Sequence, residues 1–210
     1  HLFQNRRTET RIDISPPRNF VIDGMPGLVR LAELGEIRQG IVENPATISS
    51  KIERESDGHF RQGTGVFVLD ENEIDALELS ENEISLLRPY YQLADFGRYV
   101  VSDRPMRRII YSTPETWPVL NCHRKLMRHL LPFRSLMDAR RETRQGRRAW
   151  WHLHWPRSAD IWQRDKLVVP QLGRMPTVAI ASGEVYVPFS CNMFLPGPDV
   201  KEKLGYFAAL

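Results

Sequence analysis

Five arginines fall within nine residues, Arg140, Arg141, Arg144, Arg147 and Arg148, and four tryptophans, Trp150, Trp151, Trp155 and Trp162, fall within the next fourteen. A guanidinium is a planar fork of donors that matches two oxygens of a phosphate or the O6/N7 pair of a guanine. Grouped around the flexible Gln145-Gly146 turn, these arginines have too few neighbouring carboxylates to be neutralised as internal ion pairs. Phosphate and solvent are the acceptors left, and phosphate is the expectation. Two uses compete for Trp150, Trp151 and Trp155, stacking on bases or packing in the core, and large aromatics favour the core. Trp151 and Trp155 are assigned mainly to supporting the basic loop. Arg38 and Gln39, beside Gly40, are candidates for a second base-reading loop, since Gln pairs bidentately with adenine. Arg174, in the loop after Pro170, is a third candidate.

Other constellations carry less chemistry. His152 and His154 form an H-x-H that a strand would present on one face, but no third metal ligand is identifiable and the cysteines lack C-x-x-C spacing, so no metal is expected. Asp199 and Lys201 superficially resemble part of a magnesium-dependent nuclease site, without the upstream carboxylates such a site needs. No Gly-rich phosphate loop, nucleophile elbow or Asn-Pro-Pro-aromatic motif is present. No catalytic residue and no cofactor are assigned to this chain.

The chain has 210 residues, 41% hydrophobic and 26% charged, enough to bury a core without disulfide or metal staples. Its charge is unevenly placed. Residues 1–100 hold 11 Lys+Arg against 17 Asp+Glu, residues 101–150 hold 12 against 4, and the last 60 hold 6 against 5. The positive field is therefore aimed by one segment. Two cysteines outside any motif and the lack of a signal peptide favour a reducing cytoplasm, and no apolar run approaches the roughly 20 residues of a membrane helix. The chain starts at His1 and stops within an amphipathic pattern, so both ends read as cut from something larger.

The elements that must position these residues are mixed and β-rich, an α+β class. Strands are expected at Gly35–Val42, interrupted by Gly40 as a bulge or close approach, at 65–69, at 108–111, at Trp150–Trp155 and at 167–169. A hairpin is expected from 177–181 and 184–189 around Ser182-Gly183. Residues 43–64 read as a loop, and Ser80-Glu81-Asn82-Glu83 as a capping box. The best helical periodicity spans Trp117 to Arg141, with Pro132 breaking it. Residues 1–20 read as a linker, 21–198 as the body, and 199–210 as the start of a helix.

The succession Leu31-Ala-Glu-Leu-Gly-Glu-Ile-Arg-Gln-Gly-Ile-Val42, Gly65-Val-Phe-Val-Leu69, Leu87-Arg-Pro-Tyr-Tyr91, Asp95-Phe-Gly-Arg-Tyr99, Arg108-Ile-Ile-Tyr111, Trp151-His-Leu-His-Trp-Pro-Arg157 and Lys166-Leu-Val-Val-Pro170 resembles the TaqI-like C-terminal specificity domain of adenine-N6 DNA methyltransferases and fused restriction–modification enzymes. It covers roughly residues 28–210. The order of these motifs carries the resemblance. The resemblance implies a target-recognition domain that clamps double-stranded DNA and reads base edges. It also implies an upstream methyltransferase domain, outside this chain, that binds S-adenosylmethionine. One departure stands out: where family members often have Thr-Gly after Gly-Ile, this chain has Val42-Glu43-Asn44-Pro45. The rival readings are a protein-interaction module whose basic segment docks an acidic partner and, more remotely, a nuclease fragment.

Overall fold

The computed structural model describes residues 12–15, 19–22, 31–172, 177–198, 200 and 204–209. In chain order it comprises β1 (Ile12–Ser15), β2 (Asn19–Ile22), α1 (Leu31–Leu34), β3 (Gly35–Gln39), α2 (Ser50–Glu55), β4 (Val68–Asp70), α3 (Glu71–Ala76), α4 (Glu81–Ile84), β5 (Leu87–Tyr90), β6 (Phe96–Gly97), β7 (Val100–Val101) and β8 (Arg107–Ile110). The second half holds the helices α5 (Trp117–Leu120), α6 (Arg124–Leu130), α7 (Arg134–Asp138), α8 (Arg141–Arg144) and α9 (Asp160–Gln163), then β9 (Lys166–Pro170), β10 (Ala179–Ala181), β11 (Cys191–Pro196) and α10 (Leu204–Ala209). The class is α+β, as the residue pattern implies.

Two antiparallel sheets organise the core, one of four strands in the order β10-β9-β11-β3 and one of three in the order β4-β8-β5. Alternation along β9 and β11 sends successive side chains to opposite faces. Val168, Met193 and Leu195 join the main core, which also holds Val66–Leu69, Ile109, Ile110, Leu126, Leu130, Leu153 and Trp162. Leu167 and Phe194, directly paired across the strands, face the other way and pack with Leu204 and Ala208 of α10. The larger sheet is thus covered on both faces, which explains why β9 and β11 read as nearly continuous apolar runs.

Local sequence chemistry sets several boundaries. Asp70 and Glu73 form a capping box at α3, and Ser80 and Glu83 another at α4, each satisfying two amide groups that a helix start leaves unpaired. β3 ends where Gly40 approaches the chain at 187–188. A Cβ on Gly40 would lie 2.1 Å from the Pro188 carbonyl oxygen and 2.4 Å from that of Val187, so the strand is interrupted here by a close approach that only glycine permits.

Four expected elements take other forms. The periodic stretch 117–141 holds three short α-helices, α5, α6 and α7, because the turn at Asn121-Cys122 and the 3-10 turn Leu131–Phe133 at Pro132 divide it. Residues 184–189 do not form a hairpin with β10. That strand pairs with β9, while the extended 184–189 segment bridges Tyr90 through Tyr186 and Ile41 through Pro188. Trp150–Trp155 is not a strand but a run of turns with one bridge at Trp155, for a reason that the buried Arg140 supplies. Residues 43–64, expected as loop, include α2, capped by the Ser49 side chain.

Candidate functional site

Arg140 organises the basic segment from inside. It is only 7% exposed, and its guanidinium donates from Nε to Met137 O (3.0 Å), from Nη1 to Asn44 O (3.1 Å) and His152 O (2.9 Å), and from Nη2 to Ala149 O (3.1 Å) and Trp150 O (2.8 Å). Carbonyls turned inward onto one cation cannot also form a strand ladder, so 149–155 wraps instead of extending. The far end of this wrap is sewn to the segment after Gly40. Val42 and Trp155 exchange N–H···O bonds of 3.1 and 2.9 Å, the His154 amide donates to Glu43 O, and Arg157 Nε donates to Gly40 O at 2.9 Å. The Glu43 side chain turns into the core, where it accepts from the Tyr90 hydroxyl, and burial pushes its carboxyl pKa up. The Val42-Glu43-Asn44-Pro45 segment is thus tied inward by a side chain and outward by backbone pairing.

Between this wrap and the 111–116 turn opens a groove of about 660 Å³ lined by Tyr111, Thr113, Glu115, Arg148, His152, Trp155, Arg157 and Asp160, among others. Trp155 is 43% exposed, and the Arg148 guanidinium lies over its ring, 4.7 Å from the centroid, within cation–π range. His152 settles where Arg148 points. Its Nδ1 meets the Leu153 carbonyl oxygen and so carries the proton, which leaves the Nε2 lone pair to accept from Arg148 Nη1 at 3.3 Å. Arg148 is therefore half-buried, gripped by an aromatic face and a neutral imidazole, with its orientation fixed in advance.

Burial lowers the pKa of His152, and Arg148 and Arg140 press it down further. Burial likewise lowers His129 and His154. Depressed folded-state values mean that the unfolded chain binds more protons, so stability is full above the ordinary histidine value near 6.5 and falls as the pH drops below it. The histidine contribution to stability should therefore decline between pH 7 and 5, opposed by the raised Glu43 carboxyl, and the thermal midpoint of His152→Gln should fall less across this window than that of the wild type. Equal falls in the two proteins would show that the His152 imidazole does not resist protonation.

No family model matches the sequence, and no curated protein matches it. Among solved structures, that of the Type IIL restriction–modification enzyme MmeI in complex with DNA is similar, with a TM-score of 0.55, 11% identity, and coverage of 83% of this chain and 21% of that one. The likeness is one of fold. The chain spans about a fifth of the length of the protein it matches.

The candidate residues fall into distinct settings. Arg141, Arg144 and Arg147 are exposed on α8 and the turn after it, where Gly146 takes the left-handed φ of +69° that the Gln145-Gly146 turn requires. Arg140 does not join them. The expectation of a surface phosphate ligand is corrected, because all of its donors are spent on backbone carbonyls. Arg38 lies on β3, held by Glu36 at 2.6 Å, and Gln39 ends that strand opposite Asn192. Arg174 lies outside the described residues. Trp151 stacks on Trp117, with centroids 4.4 Å apart and planes 4° from parallel, and Trp150 meets Trp117 edge-on. The two histidines expected to share a strand face are separated in use, since His154 Nε2 lies 3.7 Å from Glu142. Among the described residues no three His, Cys, Asp or Glu are grouped to hold a metal, and no helix is long and apolar enough to cross a membrane.

Sequence reasoning missed two residues here. Lys166, fully buried, donates from Nζ to the carbonyls of Trp162 and Arg164 (both 2.8 Å), Gly183 (3.2 Å) and Ile161 (3.5 Å). It ties α9 to the 182–184 turn, and burial lowers its pKa to about 8. Arg157 lines the groove and is visible in the sequence only as part of the Trp-Pro-Arg block. Part of the acidic 70–83 stretch, which an interaction surface would need free, is engaged instead: Asp70, Glu73 and Glu83 serve as caps, and Glu83 also accepts from the Lys125 amide.

Proposed function

We propose that this chain is a duplex-DNA recognition domain of a restriction–modification enzyme. The observation that carries the reading is the placement of a pre-oriented Arg148, fixed by Trp155 and His152 at the rim of the groove, next in sequence to the three exposed arginines of the α8 segment. Such an arrangement offers phosphates a set of solvent-facing cations and offers a base edge one guanidinium whose rotamer freedom is already spent. The likeness to an enzyme solved with DNA supports it, as does the resemblance to TaqI-like specificity domains. On this reading Arg141, Arg144 and Arg147 neutralise phosphates, Arg148 contacts phosphate or a base edge, and Arg38 and Gln39 read from the neighbouring strand end once DNA competes with Glu36 for Arg38. Adenine-N6 methylation, and the S-adenosylmethionine it requires, belong to a separate methyltransferase domain in a cytoplasmic enzyme.

The test is selection of the chain on a randomised duplex library at low and moderate salt. A short enriched motif that persists at the higher salt is expected. Binding without enrichment would reduce the domain to a phosphate clamp, and no binding at either salt would favour a protein partner for the basic segment.

A further inference from the structure

Arg157 has a backbone that arginine seldom adopts, with φ at +65°, a left-handed conformation in which a Cβ is strained. Such an outlier persists only when its surroundings over-determine it, and here they do. The buried Tyr111 hydroxyl is shared between the carbonyls of Pro156 (3.1 Å) and Arg157 (3.0 Å), and it accepts from Nε1 of the fully buried Trp162 at 3.3 Å. At the other end, Arg157 Nε donates to the carbonyl of Gly40, where the chain is held by the Gly40 amide on Cys191 O (3.0 Å) and the Ile41 amide on Val187 O (2.8 Å). Together these anchors hold the Arg157 backbone and its Nε in place.

The charge is not spent internally. Arg157 forms no ion pair with a carboxylate among the described residues, and the charged group that most influences it is a second cation, Arg38, which together with burial presses its pKa down. A half-buried cation without a carboxylate of its own (the neighbouring Arg38 already has Glu36), held by a strained backbone at the wall of a groove, is costly unless something outside the chain supplies the acceptors. A solvated surface arginine would need neither the strain nor the two anchors.

We propose that Arg157 is a base-reading residue, its Nη1/Nη2 edge forking onto the O6 and N7 acceptors of a guanine in duplex DNA. The inference rests on the DNA-recognition reading above and adds to it a residue and a base. Phosphate oxygens offer a similar acceptor pair, and base substitution separates the two.

The experiment compares the wild type with Arg157→Lys in the duplex selection, then measures the wild type on its selected site with 7-deazaguanine replacing the guanine in question. Lysine keeps the charge and loses the fork. The expected result is that Arg157→Lys loses preference at one G·C pair by about 5- to 150-fold and keeps it elsewhere. Deazaguanine at that pair weakens the wild type and leaves Arg157→Lys unaffected. The deazaguanine arm on wild-type protein needs no variant, so misfolding of Arg157→Lys cannot mask the answer. Equal weakening of all sequences by Arg157→Lys, or indifference of the wild type to deazaguanine at every selected guanine, overturns the assignment in favour of a phosphate contact. Wild-type binding without any preference also overturns it while leaving DNA binding intact. Failure of the wild type to bind duplex at all brings down the DNA reading itself.

Discussion

Arg140→Met is expected to cost about 3–5 kcal/mol of folding free energy, because it leaves several buried carbonyls without a donor, and to release residues 149–155 from the body of the domain. A guanidinium has five N–H donors, and the five carbonyls of Met137, Asn44, His152, Ala149 and Trp150 receive them. Burial lowers the Arg140 pKa to about 10, which leaves it charged at neutral pH. Met fills the volume but strands the carbonyls, and each buried acceptor left without a donor costs about 1–3 kcal/mol. Water entering from the exposed Ala149 side recovers part of that, so the total stays below the simple sum. Arg140→Lys keeps the charge with three donors in place of five and should recover less than half of the loss. Urea unfolding of the three proteins checks this through the midpoint at constant m. A loss under about 1 kcal/mol for Arg140→Met would mean that the wrap holds without its central cation.

How much of this is legible in the sequence depends on whether the partners are local. The capping box at Ser80/Glu83 can be read directly because both partners lie within four residues, and Gly40 can be read as a bulge or a close approach because glycine inside a strand marks one or the other. The arginine cluster is visible as charge but not as two populations. Counting neighbouring carboxylates shows a deficit of ion pairs, yet Arg140 needs none, since backbone carbonyls of Asn44, Met137, Ala149, Trp150 and His152 serve instead. The same carbonyls undo the alternation of Trp150–Trp155, whose apolar and polar residues follow a strand pattern that the inward-facing backbone cannot obey. The Ser182-Gly183 turn is legible, and Gly183 sits there at φ +73°. Its partner strand is not, because β10 finds β9 and Tyr186 finds Tyr90, pairings that no short-range pattern encodes. Arg157 leaves no local signal of its positive φ beyond the preceding proline.

Removing the solvent-facing cations should have the largest effect on binding. The triple change Arg141→Gln, Arg144→Gln and Arg147→Gln is expected to flatten the plot of log affinity against log salt by about 2.7, near 0.9 for each phosphate no longer neutralised. Relative to 1 M salt, that slope corresponds to a loss of roughly 500-fold at 0.1 M. The three side chains are exposed and make no ion pair among the described residues, so the fold should be almost indifferent, and the Arg140 staple that anchors their segment is untouched. Because phosphates carry no base identity, every sequence should weaken alike and the selected motif should survive. Arg148→Gln should behave differently. It removes a guanidinium already gripped by Trp155 and His152, so a change in preference at one base pair would place it on a base edge, and a parallel loss of about one unit of slope would place it on a phosphate. A triple variant whose slope matches the wild type would show that α8 faces away from DNA, and the binding surface would then have to be sought around Arg38 and the groove alone.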